Sequence, residues 1–225
     1  MSDANIARRA IFERLRSAMP AKQVAAPDLH EYYAQEFIEP AVARIERFMT
    51  RARAWHAQVV ETTVAAWPAT VHSILDAKGV KRLLAGRNTE LSATLATVVP
   101  GDRLCWYDEP LDTFKSTLFE DIDAGITTTR GGIVETGSLI LWPSSNEPRT
   151  LSLVPPLHIA VLQANQLHDT LYAAMLAQRW SDGLPTNALL VTGPSKTADI
   201  QRLLVYGAHG PKQLVIVLVR NEERV

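Results

Sequence analysis

From Ala41 onward the apolar residues Val42, Ile45, Phe48, Met49, Ala52, Trp55 and Val59 recur at steps of three and four. That period predicts an amphipathic helix with one buried face, and Pro40 suits its first turn, where a missing N–H costs nothing. Arg44, Arg47, Arg51 and Arg53 fall mostly off the stripe and read as a solvated face rather than a ligand patch. A shorter helix is expected over residues 5–18, with a loop containing Pro20 and Pro27 between the two. Residues 1–66 therefore read as a helical N-terminal segment, an appendage or lid.

The pattern then alternates. Residues 71–77 predict a helix closed by Gly79, and 80–84 a short apolar run that begins a sheet. Asn88 or Thr89 can cap a helix through residue 96, residues 104–107 read as a strand and 113–119 as a helix. Beyond Gly125 come strand-like segments at 133–135, 138–142, 151–154 and 157–162, separated by Gly or Pro. Residues 165–180 have helical length, 188–191 read as a buried strand, 195–204 as a helix and 214–219 as the last strand. The expected fold class is α/β, one domain over residues 67–225 behind the N-terminal helical segment.

Composition narrows the function classes. A chain of 225 residues with 47% hydrophobic and 21% charged residues is ordinary globular protein, neither disordered nor fibrous. Its 23 Lys plus Arg against 24 Asp plus Glu leave a net charge of −1 with no block of one sign, so no nucleic-acid partner is expected. The single Cys105 cannot supply an intramolecular disulfide, a four-cysteine zinc site or a complete iron–sulfur ligand set, so any redox centre must belong to a partner. Residues 1–19 carry Arg8, Arg9, Arg14 and Arg16 without a continuous apolar stretch, unlike a secretory signal. The longest useful apolar run, residues 214–219, is far shorter than the roughly 20 residues of a membrane span. A cytoplasmic protein without a membrane span is expected.

Eight of the 11 glycines fall between Gly125 and Gly210, and three clusters there can carry chemistry. The first runs from Gly125-Ile126-Thr127 to Gly131-Gly132-Ile133-Val134-Glu135-Thr136-Gly137-Ser138. Glu135 among glycines can act as base, nucleophile or acceptor beside a closely approaching ligand; equally, the segment is a turn or bulge whose glutamate satisfies nearby amides. The second, Thr192-Gly193-Pro194-Ser195-Lys196-Thr197-Ala198-Asp199-Ile200, joins a strand to an expected helix. Its helix start would offer unpaired amides and a positive dipole end to an anion, or Ser195 and Asp199 would simply cap it. The spacing is not that of a Walker A loop. The third is Gly207-Ala208-His209-Gly210-Pro211, where His209 is an acid, a base or a turn residue. His158 reads as a satisfied core or rim residue, and His30, His56, His72 and His168 are too scattered for a metal set. A triad of Ser138 or Ser195 with His209 and Asp199 lacks a nucleophile-elbow motif.

Taken in order, Gly125-Ile126-Thr127, Glu135-Thr136-Gly137, the Pro155-Pro156 strand entry, the 193–200 segment and Gly207-Ala208-His209-Gly210-Pro211 resemble the LUD-domain family, in its lactate-utilisation protein C branch. The resemblance is dense over residues 122–219 and general before them. Where the family pattern has Arg this chain has Lys196, which loses a planar bidentate donor, and where it has Val this chain has Ala208. The resemblance implies a fold similar to the sugar-phosphate isomerase and CoA-transferase-like group. It also implies a role in oxidation of L-lactate to pyruvate by a three-protein system whose iron–sulfur chemistry belongs to companion proteins.

The leading expectation is thus a non-redox component of that system. Thr127, Gly137, Gly193, Ser195, Lys196, Thr197 and Asp199 would hold an anionic small molecule, and Glu135 and His209 would orient it or exchange protons with it. The cofactor stays open, with no iron–sulfur cluster or disulfide expected in this chain, and the expected partners are the small molecule and the iron–sulfur companions. Two alternatives stand beside this one. One is a freestanding enzyme acting on a CoA ester or sugar phosphate with Glu135 as nucleophile or base, and the other is a sensor or scaffold without turnover.

Overall fold

The computed structural model describes residues 3–18, 40–198 and 204–220. The chain divides into two compact units, Met1–Glu36 and Phe37–Val225. The first contains helix α1 (Asp3–Ser17), in which Arg9 pairs with Glu13 one turn on.

The second unit opens with α2 (Ala41–Ala54), where the three-and-four stripe places Ile45, Phe48, Met49 and Ala52 in the core. The helix stops earlier than the apolar period suggests. Trp55 caps it, His56 turns the backbone at φ +65, and Val59 belongs instead to strand β1 (Gln58–Thr63). The β-branched run Val59-Val60 and Thr62-Thr63-Val64 explains the switch, because such side chains lose rotamer freedom in a helix and pack well on a pleat.

Then follow α3 (Trp67–Ala77), β2 (Leu83–Ala85), α4 (Ser92–Val98), β3 (Leu104–Trp106), α5 (Leu111–Glu120) and β4 (Ala124–Thr128). Two further short strands, β5 (Gly131–Ile133) and β6 (Ser138–Leu141), precede α6 (Arg149–Leu153) and β7 (Leu157–Gln163). The chain continues through β8 (Leu167–His168), α7 (Leu171–Ala177), β9 (Leu189–Val191), β10 (Lys196–Ala198), β11 (Leu204–Tyr206) and β12 (Gln213–Arg220). The central sheet is wholly parallel in the order β1-β12-β7-β4-β2-β3. Its middle strands are covered on both faces, which is why Leu214 to Val219 read as an unbroken apolar run. A parallel sheet with helical crossovers is the α/β class expected from the alternation.

On one face α3 and α4 lay Val71, Leu75 and Leu95 against Ile126, Ile159, Val215 and Val217. On the other, α2 joins a second sheet of order β8-β5-β6-β9 to cover Ala160, Leu162, Ile216 and Leu218. Both α2 and β1 precede the boundary drawn after residue 66, yet α2 fills this core and β1 pairs with β12 along its whole length.

Three other segments differ from the sequence reading. Residues 151–154 are not a strand: α6 lies directly over β4, and a Cβ on Gly125 would sit 2.2 Å from the Leu151 carbonyl oxygen. Residues 165–180 are not one helix, because Thr170 caps α7 through its hydroxyl, leaving Leu167–His168 to pair with β5. Residues 196–198 form a strand paired antiparallel with β11, the β-branched Thr197 facing Val205. Asp199 lies outside the described residues. No helix among the described residues is long and apolar enough to cross a membrane.

Candidate functional site

Strand order locates the crevice. From β2 the chain steps outward to β3, then returns across β2 to β4, so the connections from β2 and β4 leave in opposite directions. Such a switch opens a gap at the carboxyl ends of the two strands, where open α/β sheets bind ligands. In this protein the gap is a cavity of about 220 Å³ whose walls include Asn88, Thr89, Glu90, Thr128, Arg130, Trp142 and Glu147.

Each wall has a local cause. Gly86 is buried at the end of β2, and a Cβ there would meet the Asn146 carbonyl oxygen at 2.2 Å and Glu147 Cγ at 2.8 Å. Only glycine lets the 144–147 loop come in over the strand. Ser144 Oγ folds that loop by accepting from the amides of Asn146 and Glu147 at 3.2 and 3.1 Å. Asn88 sits at φ +60, a left-handed conformation rare outside glycine, and its carbonyl accepts from Asn146 Nδ2.

Glu147 reaches the end of β4, where the Thr128 amide donates to Oε1 at 3.0 Å and the Thr128 hydroxyl donates to Oε2. Burial pushes its carboxyl above the usual range; the Thr128 bonds oppose that rise and nearby Glu90 adds to it.

Arg130 enters from the loop after β4. Its guanidinium lies 4.9 Å from the centre of the Trp142 ring, and it forms no ion pair with a carboxylate among the described residues. Trp142 is braced edge-on by Trp180 at 5.5 Å. The Trp180 indole donates to Gln178 Oε1, and Gln178 Nε2 donates to the Arg130 carbonyl, closing a ring of contacts around the arginine. At the neighbouring rim Arg87 stacks on Trp106 but is committed to Asp108 through two bonds. Among the described residues the cleft therefore offers one cation without a carboxylate partner, a carboxyl raised by burial and several neutral donors. Such a set suits a small carboxylate bearing a hydroxyl or carbonyl group.

The residues singled out from sequence fall elsewhere. Thr127 is buried, its hydroxyl 2.9 Å from His158 Nε2. Glu135 is exposed in the turn between β5 and β6. Gly137 is a packing glycine at φ +71, where a Cβ would lie 2.4 Å from the Ala52 amide nitrogen of α2. Gly193 likewise closes on the Trp55 carbonyl oxygen, 2.3 Å from where its Cβ would be.

Gly193, Ser195 and His209 do come together, lining a second cavity of about 230 Å³ that Glu135, Lys196 and Thr197 do not line. Because Lys196–Ala198 are a strand, no helix start or dipole awaits an anion there, and that part of the sequence reading is corrected. His158 also lines this cavity, buried as the core alternative of its sequence reading has it, and desolvation pushes its imidazole down to about 4.

Arg130 and Glu147 escaped the sequence reading, although a polar run, Thr127-Thr128-Thr129-Arg130, at the end of an apolar strand was a usable signal. A further cavity, about 630 Å³ beside α2 and the ends of β1 and β12, has its Arg220 paired with Glu61. Among the described residues no group of three His, Cys, Asp or Glu side chains is placed to hold a metal ion.

Comparison with known proteins agrees with this architecture. An uncharacterised protein of Neisseria meningitidis serogroup B is 33% identical over 218 residues, covering 95% of this chain and 93% of its own. A lactate utilization protein C of Exiguobacterium is 29% identical over 79% of this chain and 78% of its own length. A lactate utilization protein C of Macrococcus caseolyticus is 27% identical over 74% of each. The crystal structure of a DUF162 family protein from Deinococcus radiodurans superposes with a TM-score of 0.61 at 22% identity, over 80% of this chain and 99% of that one, and shows the shared fold. The LUD domain model matches residues 45–219, a span that takes in most of α2, all of the parallel sheet except the last residue of β12, and both loops of the switch-point cleft, and the chain belongs to the LUD domain family.

Proposed function

We propose that this protein is a non-redox component of a lactate-utilisation system and that it holds a small 2-hydroxy or 2-oxo carboxylate in the cleft between β2 and β4. The observation that carries the reading is Arg130: an arginine laid on Trp142 at the switch point of a parallel sheet, with no carboxylate partner among the described residues, beside the half-buried Glu147. The guanidinium would take the carboxylate through paired N–H bonds. Glu147, raised by burial, would exchange a proton with the ligand's hydroxyl or carbonyl oxygen. Relatives named for lactate utilisation support the pathway, and Cys105, one thiol in β3, leaves electron transfer to iron–sulfur companion proteins.

Proton exchange passes in this reading from Glu135, on its exposed turn, to Glu147. Calorimetric titration with L-lactate and pyruvate, and with lactamide as the uncharged control, tests the site. Arg130→Ala is expected to weaken binding of both acids roughly tenfold or more, since a charged hydrogen bond contributes about 1.5–3 kcal/mol, and lactamide should bind poorly to either protein. Equal affinity in Arg130→Ala would remove the cleft from the proposal. Normal growth on L-lactate after gene deletion, in a strain without a redundant system, would remove the pathway.

A further inference from the structure

The second cavity lies at the opposite end of the sheet from the proposed carboxylate site. His158 and Leu214 are each the second residue of a parallel strand, β7 and β12, so the cavity opens at the strands' N-terminal ends, whereas Thr128 ends β4 at the other. Its polar walls are mostly committed: Thr192 Oγ1 lies 2.7 Å from Ser138 Oγ, and Ser152 Oγ donates to the Arg149 carbonyl.

Two groups are left over. The Ser195 hydroxyl has no partner among the described residues, and His158, 1% exposed, uses only Nε2, on Thr127. The second ring nitrogen, on a side chain otherwise enclosed by protein, is left for a ligand or water group. Leu153, Leu190 and Leu214 supply apolar wall, and among the described residues no Asp, Glu, Lys or Arg lines the space.

We infer that this cavity is a second ligand site, independent of the carboxylate cleft, and that it takes a compact uncharged molecule pairing an amide or carbonyl edge with an apolar ring or chain. The edge would meet His158 and Ser195. Neutral imidazole offers one N–H and one lone pair, and the Thr127 hydroxyl can donate to or accept from Nε2, so the other ring nitrogen can match either kind of group. A buried anion would meet no Lys or Arg among the described residues that line the space, and would lose its hydration. The volume, about 230 Å³, holds about eight waters at about 30 Å³ each, which sets the size below that of drug-sized ligands.

The test uses the full-length chain with benzamide and 2-pyrrolidinone as neutral amides and benzoate as the shape-matched anion, followed through the histidine ring signals by NMR. Both amides should shift the His158 signals and saturate, and benzoate should bind about tenfold more weakly or worse. Ser195→Ala should weaken benzamide binding about two- to tenfold, the range of one neutral hydrogen bond. Leu190→Trp, at a position 48% exposed on β9, should block the cavity without unfolding the chain, as checked by an unchanged thermal midpoint. Arg130→Ala should leave benzamide binding as it is, which separates this site from the carboxylate cleft. Benzoate binding as well as benzamide overturns the inference. So does undiminished binding in a folded Leu190→Trp, or the absence of any His158 shift with both amides up to their solubility limits.

Discussion

Glu147 and His158 are both driven toward their neutral forms by burial, and their effects on stability oppose one another. His158 titrates near 4 in the folded protein against 6.5 unfolded, so its stabilising contribution is complete above 6.5 and is lost as pH falls toward 4. Across that interval the loss is of order 3 kcal/mol. Glu147 is raised above 4.5, so the stability linked to it is present at low pH and fades as pH rises through the interval above 4.5. Thermal midpoints recorded from pH 7 down to 4 should therefore fall in the wild type and fall more steeply in Glu147→Gln, whose amide can keep both Thr128 bonds. His158→Asn should start lower and vary less. Parallel profiles for wild type and Glu147→Gln would show that the carboxyl is not buried as described. Neither shift was legible in the sequence, where Glu147 stands in a polar Ser-Ser-Asn-Glu-Pro run and His158 beside two prolines. Burial is a property of what packs over a residue.

At the scale of elements, glycine in this fold chiefly marks where one backbone lies against another. Gly125 opens the first glycine cluster, and its Cα hydrogen faces α6 at a distance no Cβ tolerates. Gly125→Ala should displace α6 and destabilise the protein by about 2 kcal/mol or more in urea unfolding, with overpacking as the mechanism. Exposed Gly101, with open space around its Cβ position, is the control, and Gly101→Ala should change stability by less than about 0.5 kcal/mol. Equal effects at the two positions would refute the packing role. The strand at 196–198 makes a related point. A Pro-Ser-Lys-Thr stretch has good helix-start chemistry, and it is overridden by a partner strand at 204–206. Local signals lose when a cross-strand neighbour satisfies the same amides.

For the whole molecule, the hydrophobic core clusters among the described residues draw their members from Ile45 onward, and the LUD match begins at the same residue. A chain beginning at Phe37 should therefore fold cooperatively, with a thermal midpoint within about 3 °C of the full-length protein. A broad or strongly lowered transition would mean that residues 1–36 belong to the folding unit. Had the boundary lain at residue 67, as the helical pattern alone suggests, the sheet would lack β1 and one face its α2 cover, including Phe48, which is wholly buried.

The sequence by itself determined the α/β class, most of the central strands, the LUD resemblance and the exclusion of internal disulfide or cluster chemistry. Those properties reside in composition and in spacings of two to four residues, which the chain carries locally. The tertiary structure alone decided which side chains share a site. Asn88 lies dozens of positions before Arg130 and Glu147 and meets them only because β2 and β4 become neighbours after the chain has passed through β3. Glu135 and His209, equally plausible as letters, fall on an exposed turn and on the rim of a different cavity. The order of strands in a sheet is set by crossovers and by the burial of both its faces, and no short stretch of sequence records it.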